Sequence, residues 1–152
     1  MIADMSRAPA TAPIGLQLAR TARSASHAFE RAMAAAGGSV PAWQVLLLVR
    51  SRQWGSQSEL AAAMGVTQAT LTHHLNALER DGLIKRWREA SDRRSQQVEL
   101  TPGGEAAFSR LRGVALAHDK RLRSILSDDD AERLGALLEK LRAGLDEEQQ
   151  LA

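Results

Sequence analysis

Only three residues, Gly65, Val66 and Thr67, separate two stretches of helical apolar spacing, and this short turn limits the fold more than any other feature of the chain. Leu60, Ala61 and Met64 form the inward side of the first stretch, and Leu71, Leu75 and Leu78 share one face of the second. Ser56, with Glu59 three residues later, marks the start of the first helix as a capping box. Gly65 ends it, Thr67 is the N-cap of the second, and Asp81-Gly82 stops that helix near Arg80. Two helices joined so closely must cross steeply, which predicts a helix-turn-helix.

After Gly82 the period shortens to that of a strand. Leu83 to Arg88 reads as a short strand, Glu89 to Ser95 as a polar turn, and Gln97 to Leu100 as the returning strand. On the N-terminal side, Ile14, Leu18, Ala22, Ala25, Phe29, Met33 and Ala36 mark one face of a long helix that ends at Gly37-Gly38. Pro41 opens a further helix carrying Trp43, Leu46, Leu47 and Arg50, broken at Trp54-Gly55. On the C-terminal side, Thr101-Pro102 starts a helix that runs past Phe108, Leu111, Ala115, Leu122 and Ile125. Ser127 caps the last helix, where Asp128, Asp129 and Asp130 suit the positive end of its dipole, and Leu134, Leu137, Leu138, Leu141 and Leu145 form a leucine stripe. The expected fold is mainly α with a small β-hairpin wing. Residues 1–13 read as a flexible tail and 14–152 as a single domain, in which helices over 14–36 and 102–150 flank a lobe over 41–101.

Composition removes several kinds of chemistry. The chain has 152 residues and no cysteine, which excludes disulfides, thiolate catalysis and cysteine-held zinc. His73 and His74 are adjacent and point about 100° apart on a helix, so they cannot chelate one metal together. No His-Glu-x-x-His pattern, phosphate loop or Gly-x-Ser-x-Gly elbow is present, and neither an enzyme nor a metal site is expected. No apolar run approaches the roughly 20 residues of a membrane span, and the first residues lack the apolar centre of a signal peptide. The expected location is the cytoplasm, with no membrane partner.

The charged and polar residues point to nucleic acid. In a helix-turn-helix one helix lies across the DNA backbone while the next enters the major groove. The face opposite the leucines of the second helix carries Ala69, His73, Asn76 and Arg80, and Gln68, Thr70 and Thr72 are accessible at its N-terminal end. Gln and Asn pair with adenine, Thr with base edges or phosphates, His with guanine or phosphate. A solvent-facing helix can also be polar by default. The hairpin is basic: Lys85, Arg86, Arg88, Arg93 and Arg94 stand against Glu89 and Asp92. Arg94 at a narrow tip can enter a minor groove with Asp92 holding its guanidinium, while Arg86, Arg88 and Arg93 face phosphates. The plainer alternative is a local ion pair in a surface loop.

Taken together, Ser58–Leu75 (SELAAAMGVTQATLTHHL), Leu78–Ile84 (LERDGLI), Ser91–Arg94 (SDRR) and Val98–Gly103 (VELTPG) resemble the MarR family, the multiple antibiotic resistance type of winged helix-turn-helix regulator. The resemblance follows the element order over nearly the whole chain. It implies a homodimer joined through the N- and C-terminal helices, whose apolar stripes lack enough partners within one chain. It implies double-stranded DNA as partner, read as a palindromic operator by a ligand-responsive repressor. It assigns minor-groove insertion to Arg94, braced by Asp92, and groove contacts to Thr70, Thr72 and His73. It also implies a small aromatic or phenolic effector and no cofactor. His27, Trp43 and Arg112 are the lining candidates, with ordinary core or surface positions as the plainer reading. The thiol-oxidation branch of the family needs cysteine, which this chain lacks. The alternative function is a winged helix that serves only as a protein-interaction module.

Overall fold

The computed structural model describes residues 12–51 and 56–150, and for Glu89 and residues 92–95 it describes the backbone alone. Its elements run α1 (Ile14–Ala35), α2 (Val40–Ser51), α3 (Gln57–Met64), α4 (Gln68–Arg80), β1 (Ile84–Glu89), β2 (Asp92–Leu100), α5 (Pro102–Ser124) and α6 (Asp128–Gln150). The predicted order of four helices, a hairpin and two helices is the observed one. Most of the tail read over residues 1–13, and the break read at Trp54-Gly55, lie outside the described residues. No single described helix is long and apolar enough to cross a membrane.

Contacts divide the chain into a unit that ends at Arg112 and one that starts at Gly113, the boundary falling within α5. The first unit holds the core: Met33 from α1; Trp43, Val45, Leu46 and Val49 from α2; Leu60 and Ala61 from α3; Leu71, Leu75 and Leu78 from α4; Ile84 from β1; and Ala107 and Leu111 from α5. All three leucines predicted to share one side of the second helix are therefore buried. Burial of such a side chain stabilises the fold by about 1.5–3 kcal/mol, and three on one stripe fix which face of α4 turns outward.

Local chemistry sets the ends of the two helices. The Ser56 hydroxyl accepts from the Glu59 amide at 3.2 Å and caps α3, and the Thr67 hydroxyl accepts from the Thr70 amide at 3.2 Å and caps α4. Each cap contributes about 1 kcal/mol. Between them Gly65 adopts φ +67°, a left-handed conformation that an L side chain resists, and the Val66 amide bonds back to the Ala61 carbonyl at 3.0 Å. At the end of α4, Gly82 takes φ +72° and the Leu83 amide bonds to the Leu78 carbonyl at 2.9 Å, so the chain leaves the helix directly into β1.

β1 and β2 form one antiparallel pair, with Ile84 opposite Leu100, Arg86 opposite Val98 and Arg88 opposite Gln96. The pairing then jumps: Glu89 faces Asp92, so residues 93–95 have no partner across the ladder. The residue pattern predicts a turn over Glu89 to Ser95 and a second strand from Gln97. The structure confines the turn to Ala90-Ser91 and carries the strand through the bulge. Charged residues of low strand propensity hid this extension, because backbone pairing does not require apolar side chains.

In the second unit, the C-terminal half of α5 leads through Ile125 and Leu126 to Ser127, whose hydroxyl accepts from the Asp130 amide at 3.2 Å and caps α6. Asp128, Asp129 and Asp130 occupy the first turn as predicted. Not one residue of α6 is buried, although the helix carries five leucines. Leu134, Leu137, Leu138, Leu141 and Leu145 are 42–54% exposed.

Candidate nucleic-acid interface

The buried stripe of α4 leaves Gln68, Ala69, Thr70, Thr72, His73, Asn76 and Arg80 exposed. All five candidate residues of this helix therefore lie on its accessible surface, and their hydrogen bonds decide what each can offer. Gln68 Nε2 donates to Ser58 Oγ at 2.7 Å, tying the start of α4 to α3. The Thr67 hydroxyl donates to Thr70 Oγ1 at 3.0 Å, which leaves the Thr70 hydroxyl proton to be aimed outward. Thr72 donates instead to the Gln68 carbonyl at 2.9 Å, so it presents lone pairs rather than a donor. The His73 and His74 rings sit 5.9 Å apart edge to face, with His73 exposed and His74 half-buried.

Period-two alternation puts Ile84, Arg86 and Arg88 on one side of β1 and Lys85 and Trp87 on the other. Ile84 is buried at the root. Arg86, with 13% of its side chain exposed, turns back onto α4. Its Nη2 donates to Glu79 Oε2 at 2.6 Å and to Asn76 Oδ1 at 2.5 Å, and its Nε donates to Glu79 Oε2 at 3.1 Å. Arg86 was expected to face phosphates with Arg88 and Arg93; it lies against the second helix instead, because the hairpin register turns it inward. Arg88, one residue pair farther out, is exposed. Asp92, Arg93 and Arg94 start β2, and their side chains lie outside the described residues.

The Arg86 hydrogen bonds hold the Glu79 carboxyl below the usual carboxylate range. Because the folded value is the lower one, this tie contributes fully at neutral pH and is lost as pH falls through the lowered value. A second tether joins the other helix to the wing, where Gln57 Nε2 donates to Gln96 Oε1. Sequence reasoning missed Glu79, Gln57 and Ser58. The opposite charges of Glu79 and Arg86 were visible, but only the strand register reveals that they meet. The outcome is one braced surface: a polar helix face with a basic hairpin fixed beside it. The DNA major groove, about 12 Å wide, admits a helix of this kind.

The three candidate lining residues stand differently. Trp43 is 8% exposed and stacks on Phe108 with centroids 5.5 Å apart. Arg50 lies 5.9 Å over the same Phe108 ring and pairs with Glu105 at 3.2 Å. His27 and Arg112 are exposed on α1 and α5. Among the described residues, no hydrogen bond, ion pair or ring contact joins His27, Trp43 and Arg112.

Known proteins share this fold. The MarR family profile matches residues 39–96, the stretch from α2 into the second strand of the hairpin. A protein of Thauera aromatica that carries the description of a transcriptional regulatory protein for the hcr operon is 30% identical over 141 residues, which is 92% of this chain and 85% of that protein. Among solved structures, the transcriptional repressor CouR bound to a 23-mer DNA duplex superposes with a TM-score of 0.77 at 30% identity, covering 86% of this chain and 92% of that one. A MarR family protein of Mycobacterium tuberculosis in complex with p-aminosalicylic acid superposes with a TM-score of 0.68 at 30% identity, covering 86% and 98% of the two chains.

Proposed function

The chain belongs to the MarR family and is a DNA-binding transcription regulator, and from this premise we propose that it acts as a homodimeric, ligand-released repressor of a palindromic operator. The observation that carries the DNA reading is the exposed face of α4, with Thr70, His73 and Asn76 accessible beside a basic hairpin that hydrogen bonds fix to the same helix. The resemblance to a repressor captured on a DNA duplex supports the same reading. Gln68, Thr70, Thr72, His73 and Asn76 would meet the major groove. Arg88, Arg93 and Arg94 would meet the backbone and the adjoining minor groove, with Asp92 orienting Arg94.

Dimerisation explains the state of the terminal helices. On α1, Ile14, Leu16 and Leu18 are 75%, 43% and 41% exposed, and α6 buries nothing within its own chain. Long apolar stripes left in water are costly, and patches of this size mark association surfaces. A two-fold dimer repeats one patch against itself and presents two recognition helices. For successive major grooves these must stand about 34 Å apart.

Release follows if an effector binds better to a dimer with a different spacing. A coupling of about 1–3 kcal/mol weakens DNA binding roughly 5–150-fold. The p-aminosalicylic acid complex of the mycobacterial relative supports an aromatic anion as the effector class, with His27, Trp43 and Arg112 as the candidate lining. The reading requires no catalytic step and no cofactor, and places the protein in the cytoplasm with its DNA.

Single replacements at the interface test the assignment. His73→Ala and Arg94→Ala are each expected to weaken operator binding by about 1–3 kcal/mol, roughly 5–150-fold. Arg94→Ala should also flatten the dependence on salt by about one unit of slope. Fluorescence anisotropy on a labelled duplex at several salt concentrations reads both effects. Wild-type affinity and slope in both variants would remove these residues from the interface.

A further inference from the structure

Every polar atom of a guanidinium is a donor, so the Asn76 atom that Arg86 Nη2 meets at 2.5 Å is the amide oxygen, whichever way the amide is drawn. Glu79 holds that guanidinium at two nitrogens, at 3.1 Å and 2.6 Å. An asparagine that reads adenine uses both halves of its amide, accepting from N6 and donating to N7. For Asn76 the accepting half is already engaged by a cation. A second donor at the same oxygen would bring the partly positive adenine amino group alongside the guanidinium. The Nδ2 hydrogens meet no such repulsion and are the half of the amide that favours the duplex.

We propose that Asn76 contacts DNA solely as a hydrogen-bond donor and does not accept from the adenine amino group, and that Glu79, acting through Arg86, is the positioning residue that sets this and withholds Arg86 from the phosphates. The inference rests on the DNA-binding reading above. It also gives the two residues opposite signs of effect. Asn76 adds a contact to an acceptor of the duplex. Glu79 subtracts an available cation from the surface, in exchange for a fixed amide.

The test uses the duplex that the wild-type chain selects from a random library, with each adenine replaced in turn by unsubstituted purine, which lacks the N6 amino group. Asn76→Ala is expected to bind more weakly than the wild type but to show the same set of N6-sensitive adenines. An adenine that is N6-sensitive with the wild type and insensitive with Asn76→Ala would overturn the proposal. If the loss in Asn76→Ala is uniform across base changes, the acceptor is a phosphate; if it concentrates at one base pair, the acceptor is a base edge such as N7 of a purine or O4 of thymine. Both results support the donor role.

Glu79→Ala should free Arg86, steepen the salt slope by about one unit, and raise affinity for a scrambled duplex severalfold while selectivity for the chosen site falls. Glu79→Gln keeps an acceptor for Arg86 and should restore wild-type selectivity. A Glu79→Ala protein that melts earlier, with unchanged slope and unchanged selectivity, would make Glu79 a structural residue only and overturn the positioning role. A wild-type chain that selects no consensus would overturn the parent reading together with this one, and is seen before any variant is made.

Discussion

Gly104→Ala is expected to destabilise the first unit by about 3 kcal/mol or more, the upper range for overpacking a well-filled site. A Cβ built at this position would stand 1.9 Å from the Leu83 carbonyl oxygen and 3.0 Å from its carbon. Both are backbone atoms, so no rotamer change relieves the clash. That carbonyl also accepts from the Thr101 amide at 3.1 Å, the bond that closes the root of the hairpin. To make room, α5 must back away from the point where α4 hands over to β1, which loosens the wing. Gly103→Ala supplies the control. Its Cβ meets the Gly82 oxygen at 3.4 Å, an ordinary contact, and alanine is the better helix former by about 1 kcal/mol. Thermal unfolding at fixed protein concentration separates the two. For a chain of this size the Gly104 variant should melt about 6–12 °C lower, and the Gly103 variant no lower than the wild type. Equal melting of both variants would mean that the close approach at Gly104 relaxes freely.

The second large effect concerns assembly. Leu137→Glu combined with Leu141→Glu is expected to convert the protein to a monomer and reduce operator affinity by about three orders of magnitude, the usual distance between specific and non-specific binding. The two leucines are 53% and 43% exposed on a helix that buries nothing within its own chain. Their replacement therefore leaves the core of each chain untouched, and the helical signal in circular dichroism should hardly change. Analytical ultracentrifugation and anisotropy on the operator give the two readouts. A double variant that stays dimeric with wild-type affinity would move the dimer interface away from α6.

The contrast between the helix-turn-helix and the wing shows what a sequence alone can carry. Ser56, Gly65, Thr67 and Gly82 act within a few residues of themselves, through caps and left-handed turns. Their meaning can be read without knowing the rest of the fold, and Leu71, Leu75 and Leu78 then determine which side of α4 faces outward. Arg86 is the opposite case. Its charge suggested a phosphate contact, and its true neighbours, Asn76 and Glu79, follow only from how the hairpin packs on α4. The same gap explains Asp92 to Ser95, where a strand continues through residues with no strand-like pattern. Trp43 illustrates a further limit. A tryptophan at helical spacing fits a ligand wall or a core equally well, and its burial and its stacking on Phe108 follow only from how α2 and α5 pack. What the sequence could not supply was long-range register, because register is decided by packing between elements and not within them.

The central claim is that two copies of this chain read one palindromic duplex, and selection of bound duplexes from a random library at two salt concentrations tests it most directly. The account predicts recovery of a palindrome whose half-sites are centred about one helical turn apart, retained at the higher salt. Recovery of no consensus, with binding that vanishes as salt rises, would contradict it and leave only a basic surface.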